Sequence, residues 1–266
     1  MIIDFHTHIF PEKIAEKTID FLSGVCQATP CTNGMYGGLK ASMQEAGIDI
    51  SVALPAVTKA SQMSSVNCFA AQYQDAPIIS FGGIHPDCTD YKTALREIRD
   101  MGMKGIKLHP DYQDRYFNDI QYKRIISYAS ELDLAVVVHA GVDPKCPEDV
   151  HCTPKMAREL LDEVKPVKLV LAHMGGNEMW DDVENYLVGE DVYLDTAVVL
   201  DRMSQEQFLR MVRSHGAERI LFATDSPWAG QKEFVKILSE MPLTDVEKDK
   251  IFYKNACKLL NLSGES

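Results

Sequence analysis

The feature that most constrains this chain is a regular alternation of short apolar, β-branched runs with stretches of helical spacing. The runs are Ile2–His8, Ser51–Pro55, Ile78–Ile84, Gly105–His109, Leu134–His139, Val167–His173, Val192–Asp195 and Arg219–Thr224. Between them apolar residues recur on one helical face, as in Tyr91–Met101 (Leu95, Ile98), Tyr122–Leu132 (Ile125, Ile126, Ala129) and Pro154–Val164 (Met156, Leu160, Leu161, Val164). Glu178–Leu187, Ser204–His215 and Glu233–Met241 continue the series. A run such as Leu134-Ala-Val-Val-Val is apolar at every position, as a strand buried on both faces of a parallel sheet must be. Parallel neighbours need right-handed crossovers, so eight strand–helix units predict an α/β fold, the (β/α)8 TIM barrel, in one domain spanning residues 1–266. A doubly wound open sheet competes, but it usually has fewer strands, and no glycine-rich dinucleotide fingerprint follows the first run.

Two segments distort the plain barrel. Phe10–Gly47 is too long for one crossover helix and is expected to hold a helix near Pro11–Leu22, a loop through Gly38, and a second helix to Ala46. Thr244–Leu262 opens on a cap-like Thr-Asp-Val-Glu pattern and is expected to be a closing helix.

Charge narrows the partners. A formal net charge of −12 repels phosphate backbones and anionic lipid, so nucleic acid and membrane surfaces are poor partners and a small molecule is the expected one. No window has the uninterrupted apolar length of a membrane span. The seven cysteines are an odd number in a long chain, which suits reduced thiols in a cytoplasm better than a disulfide framework. A homo-oligomer is compatible with this reading.

The histidines carry the chemistry. His6 and His8 on the first predicted strand, His85 on the third, His109 on the fourth, His139 on the fifth and His173 on the sixth all fall at or just past a C-terminal strand end. Asp225 stands at the same level on the eighth. In a barrel those ends form the face where sites are built. His6 and His8 are two apart on a strand, so both point to one side. With His139 and Asp225 they make an N3O set for a divalent metal, with a position left for water. Such a metal lowers the pKa of its water and makes hydroxide near pH 7, with Asp225 as general base and His173 polarising a substrate oxygen or moving a proton. The predicted activity is hydrolysis of a small-molecule amide, ester or lactone.

Lys107 and His109 share a face of the fourth predicted strand. A buried lysine needs a partner or a modification, so Lys107 could carry a carboxylate adduct, pair with Asp4 or bind a substrate anion. His109 could ligate a second metal, orient the first set or contact substrate, and substrate contact or support of the ligand set is favoured. Tyr112, Gln113, Arg115 and Trp228 lie in loops of the same face and would suit a small substrate with a ring or carboxylate. Cys146-Pro-Glu-Asp-Val-His151-Cys152 matches no common zinc spacing and is expected to be a substrate loop.

The motifs Asp4-Phe-His6-Thr-His8, Gly105-Ile-Lys-Leu-His109-Pro, Val138-His139-Ala-Gly, Leu171-Ala-His173-Met-Gly-Gly176, Val192-Tyr-Leu-Asp195-Thr and Arg219-Ile-Leu-Phe-Ala-Thr-Asp225-Ser-Pro together resemble the amidohydrolase superfamily. The nearest branch is the amidohydrolase-related one that includes aminocarboxymuconate semialdehyde and γ-resorcylate decarboxylases. The resemblance implies a distorted barrel with a catalytic divalent metal, commonly zinc, with manganese or iron as alternatives. It implies His6, His8, His139 and Asp225 as ligands and His173 as the catalytic histidine. It also brings a second activity into view, metal-dependent non-oxidative decarboxylation of an aromatic or unsaturated acid. TatD-like deoxyribonucleases share the first-strand pattern, but they carry a glutamate where this chain has Lys107-Leu-His109.

Overall fold

The computed structural model describes residues 1–262. Its strands are β1 (Ile3–Thr7), β2 (Ile50–Ala53), β3 (Ile78–Ser80), β4 (Gly82–Gly83), β5 (Gly105–Leu108), β6 (Ala135–Val138), β7 (Leu169–Leu171), β8 (Tyr193–Asp195) and β9 (Ile220–Leu221). Every predicted run contains strand backbone, and the third contains it twice. The break follows from Ser80, whose N–H turns away to donate to the Tyr73 carbonyl at 2.7 Å. The fifth predicted strand is therefore β6.

The chain packs as two compact units. The first comprises Met1–Ala53, Asp75–Ile79 and the chain from Asp195 onward. Its sheet runs in the order β1-β2-β3, with β1 and β2 parallel and in register at Ile3↔Ile50 and Asp4↔Ser51. Phe5 N–H donates to the Phe222 carbonyl (2.9 Å) and Asp225 N–H to the His6 carbonyl (2.8 Å), which lashes β1 to the segment beyond β9. Ile3, Phe5, Val52, Phe222 and Ile251 form its fully buried apolar centre, each stabilising the fold by roughly 1.5–3 kcal/mol. The insertion after β1 holds the two expected helices, Glu12–Cys26 and Tyr36–Ala46. The closing segment is helical from Asp245 to Leu260, capped by Thr244 and Glu247 in a reciprocal box, with a π turn over Lys250–Lys254.

The second unit comprises Leu54–Gln74 and Ser80–Leu194. Strands β4 to β8 follow one another in order. They are parallel and share register, Gly83↔Lys107, Lys107↔Val137, Val137↔Val170 and Val170↔Tyr193. The crossover helices bury the faces that their spacing predicts: Leu95 and Ile98 in Tyr91–Asp100, Ile125, Ile126 and Ala129 in Ile120–Glu131, Leu160 and Leu161 in Pro154–Val164. Thr153 caps the last of these by accepting from Met156 N–H, and Pro154 supplies the preset first helical residue. Register at the strand ends is fixed by Gly141, which has φ +86° and where a Cβ would stand 2.0 Å from the Asn177 nitrogen. Only glycine admits that backbone approach.

One helix, Met63–Ala70, is not among those read from spacing, although Met63, Val66 and Ala70 recur on one face. Its buried face is built on Asn67, whose side chain donates to the Gly83 carbonyl (3.1 Å) and accepts from the Gly83 N–H (2.8 Å). Gln113 departs from its predicted role. Its amide donates to the Val57 and Ile84 carbonyls and accepts from the Tyr122 hydroxyl and His109 N–H. With its hydrogen bonds so committed it is a buried tie between loops, not a substrate contact. No helix among the described residues is long and apolar enough to cross a membrane.

Candidate metal centres

In the first unit, His6, His8 and Asp225 bring one ligand atom each within 4.8 Å of one another. His8 Nε2 lies 2.7 Å from Asp225 Oδ1, and His6 Nε2 lies 3.3 Å from the same oxygen. The two rings meet edge to face, as residues two apart on a strand should. Behind them, Asp195 Oδ2 sits 2.9 Å from His6 Nδ1, while its Oδ1 accepts from Ala197 N–H. An imidazole whose Nδ1–H donates to a carboxylate presents the Nε2 lone pair forward, the arrangement that orients metal-binding histidines. Asp225 itself has φ +67°, a left-handed conformation that a non-glycine residue adopts at some cost. It is held there by its bond to the His6 carbonyl and by Trp228 N–H, which donates to its own carbonyl at 2.8 Å. Two imidazoles and a carboxylate with an oriented second partner are a donor set that fits a divalent first-row cation.

Asp4, two residues before His6, is fully buried. It accepts from Thr224 N–H, Thr224 Oγ1, Gln231 Nε2 and His6 N–H. Burial pushes its carboxyl up to about 6, against the opposing pull of those donors. This carboxylate ties β1 to the segment that carries Asp225.

In the second unit, His109 and His139 follow β5 and β6 by one residue and stack nearly parallel, with ring centroids 4.3 Å apart. Tyr112 stacks on the other face of His109 at 3.9 Å. His139 Nδ1 lies 3.0 Å from His173 Nε2. His173 has φ +60° and is buried, and its carbonyl accepts from the Trp180 indole. Asp143 completes a second group of possible ligands with His109 and His139. Lys107 is buried on β5, and among the described residues it is the only lysine or arginine that is.

Cys146 and His151, in the loop after β6, form a third group with Asp111, which follows β5. Asp111 Oδ1 accepts from His151 N–H (3.1 Å) and lies 3.2 Å from His151 Nδ1. The Cys146 thiol lies 3.6 Å from it, pushed up to about 12 by burial and by this carboxylate. The segment is stapled to Asp111 by these contacts. Arg115 pairs with Asp87 at the surface, and Trp228 is half-buried beside Asp225 in sequence.

His6, His8 and Asp225 thus stand together in one unit, and His109, His139 and His173 in the other. The roles of Asp195, Asp111 and Asp143 escape sequence reasoning. Asp143 lies four residues past His139, and nothing but that proximity marks it.

The chain matches the amidohydrolase family model over residues 3–262. No curated protein matches it. Among solved structures it is similar to an uncharacterised TIM-barrel protein of Bordetella bronchiseptica, at 18% identity and TM-score 0.77 with 99% of both chains covered. It is similar to 2,6-dihydroxybenzoate decarboxylase from Rhizobium, at 17% identity and TM-score 0.72 with 99% of both chains covered. It is also similar to 5-carboxyvanillate decarboxylase of Novosphingobium aromaticivorans, solved with manganese and a nitrobenzoic acid, at 18% identity and TM-score 0.73, covering 98% of this chain and 96% of that one. The shared fold is the TIM barrel that the eight predicted strands require. With the family model matched over nearly its whole length, the chain belongs to the amidohydrolase family.

Proposed function

We propose that the protein is a metal-dependent decarboxylase of an aromatic or unsaturated carboxylic acid. What supports this reading is the cluster of His6, His8 and Asp225 on a chain that shares its fold, end to end, with decarboxylases of hydroxybenzoate-type acids. His6, His8 and Asp225 are the ligands proposed in the first unit, and the family resemblance adds His139 from the second. Manganese is the metal reported with a neighbour, and zinc suits the same donors. A cation so held would act as a Lewis acid on the oxygens of a bound carboxylic acid.

The residues have two tasks. The bond from carbon to carboxylate breaks, carbon dioxide leaves, and the electron pair stays on carbon until a proton joins it. Asp225 and His173 are the groups proposed to hold and deliver that proton. Lys107, a buried amine, and Trp228, an aromatic face, are proposed to bind the acid, since a buried ammonium favours an anion. Hydrolysis, with Asp225 taking a proton from water, uses the same residues. The chemistry of the neighbours favours decarboxylation. The odd number of cysteines, seven, suits a reducing, cytoplasmic setting.

The test is direct. Manganese-loaded protein is given hydroxybenzoic and carboxyvanillic acids in one series, and aromatic esters, amides and lactones in another. Carbon dioxide release from an acid is the expected result. Hydrolysis in the second series with no carbon dioxide in the first would replace this reading with the hydrolase one.

A further inference from the structure

We infer that Asp111, Cys146 and His151 hold a zinc ion that clasps the loop after β6 to the short helix Pro110–Gln113. One ligand atom from each lies within 4.8 Å of the others. Cys146 and His151 share one loop, and the fold brings the third donor from 35 residues before Cys146. Asp111 Oδ1 lies 3.2 Å from His151 Nδ1 and 3.6 Å from Cys146 Sγ. Around a tetrahedral zinc, an oxygen and a nitrogen at about 2.0–2.1 Å stand roughly 3.3 Å apart, and an oxygen and a sulfur at about 2.0 and 2.3 Å roughly 3.5 Å. Both gaps match. A protonated imidazole would instead draw a carboxylate oxygen to about 2.8 Å.

The other carboxylate oxygen supplies an independent observation. Asp111 is 2% exposed, and its Oδ2 accepts no hydrogen bond. A buried carboxylate left so is costly unless a cation meets it. Lys145 does not, since its ammonium donates to the Asp111 backbone carbonyl and lies over the Tyr112 ring. The site takes nothing from His139, whose Nε2 is 3.8 Å from Asp111 Oδ2, beyond hydrogen-bond reach.

His151 is also supported from behind. Tyr116 stacks on its ring at 4.9 Å, and its carbonyl accepts from Phe117 N–H at 2.8 Å. Its Nε2 lies 3.7 Å from Asp114 Oδ1 and 3.9 Å from Asp149 Oδ2. A ring bound through Nδ1 directs Nε2–H toward those carboxylates, the arrangement that orients metal-binding histidines. A thiolate beside an imidazole and a carboxylate selects zinc over the harder manganese. Cys146 is half-buried, which gives the ion an entry path. As the zinc–sulfur bond forms, the thiol proton leaves to water. Three protein ligands leave the fourth position to a water molecule.

The experiment strips the protein with chelator under reducing conditions and returns Co2+, whose bond to a thiolate gives a near-ultraviolet charge-transfer band that nitrogen and oxygen ligands do not. The band is expected in the wild type, absent in Cys146→Ser, and kept in a His6→Ala/His8→Ala double variant. Cobalt-loaded wild type without the band overturns the inference, as does a band that Cys146→Ser keeps or that the folded double variant loses. X-ray absorption at the zinc edge of zinc-reloaded wild type needs no variant to fold. A sulfur shell at about 2.3 Å supports the site, and nitrogen and oxygen shells alone contradict it. The ligands proposed in the first unit include no cysteine, so failure of either test leaves that metal standing.

Discussion

Asp195 Oδ2 lies 2.9 Å from His6 Nδ1, and both side chains are almost completely buried. The carboxylate has no route to solvent, and its effect on His6 is on orientation and tautomer. Asp195→Ala is expected to weaken Mn2+ binding by about 10- to 100-fold while the fold persists. Competition against a fluorescent chelator measures this. An unchanged affinity would mean that His6 needs no such support.

Asp4 is a more general tie. Four donors converge on its two oxygens, and asparagine would turn an N–H2 toward some of them. Asp4→Asn is expected to lower stability at pH 7 by about 3 kcal/mol, whereas Thr224→Val, which removes one hydroxyl donor, should cost about 1–2 kcal/mol. Urea denaturation followed by circular dichroism separates the two. Equal losses would show that the carboxylate has no special share in joining β1 to the Asp225 segment.

Two glycines with similar backbone test the packing at the β6 end. Gly141 and Gly47 both have positive φ, +86° and +70°. A Cβ on Gly141 meets the Asn177 backbone, while one on Gly47 meets nothing within 4 Å. Gly47→Ala is therefore expected to cost about 1–2 kcal/mol from conformation alone. Gly141→Ala is expected to cost at least ~3 kcal/mol, because backbone must move as well. Thermal melts of the two variants decide it, and similar melting temperatures would contradict the close approach at Asn177.

Much of this molecule is legible in its sequence, and the reasons are particular. β6 is apolar at all four positions and is followed at once by His139, so periodicity finds the strand and chemistry marks its end. His6 and His8 are read together because a strand turns alternate residues the same way. The helix Met63–Ala70 is hard to read because it is only 8 residues long and anchors itself through the Asn67 amide. Asp111 and Asp143 are not legible either. Asp143 sits in a loop and Asp111 in a helix of 4 residues, where no period applies, and a carboxylate there is ordinarily a solvated one. Gln113 misleads for the same reason, being a polar residue of that short helix that the fold buries.

Gln113 also gives an expected outcome. Gln113→Leu keeps the volume but strips the Val57 and Ile84 carbonyls, the Tyr122 hydroxyl and the His109 N–H of a partner. The expected loss is about 3 kcal/mol in urea unfolding, as several buried polar groups are left unpaired. A loss below about 1 kcal/mol would mean that these groups find replacements.

The claim at the centre of this account is that His6, His8 and Asp225 hold a divalent cation. The most direct measurement is the manganese content of the reloaded wild type beside that of a His6→Ala/His8→Ala double variant, with folding checked by circular dichroism. The double variant is expected to hold one equivalent fewer than the wild type. A folded double variant with the full wild-type content would contradict the claim.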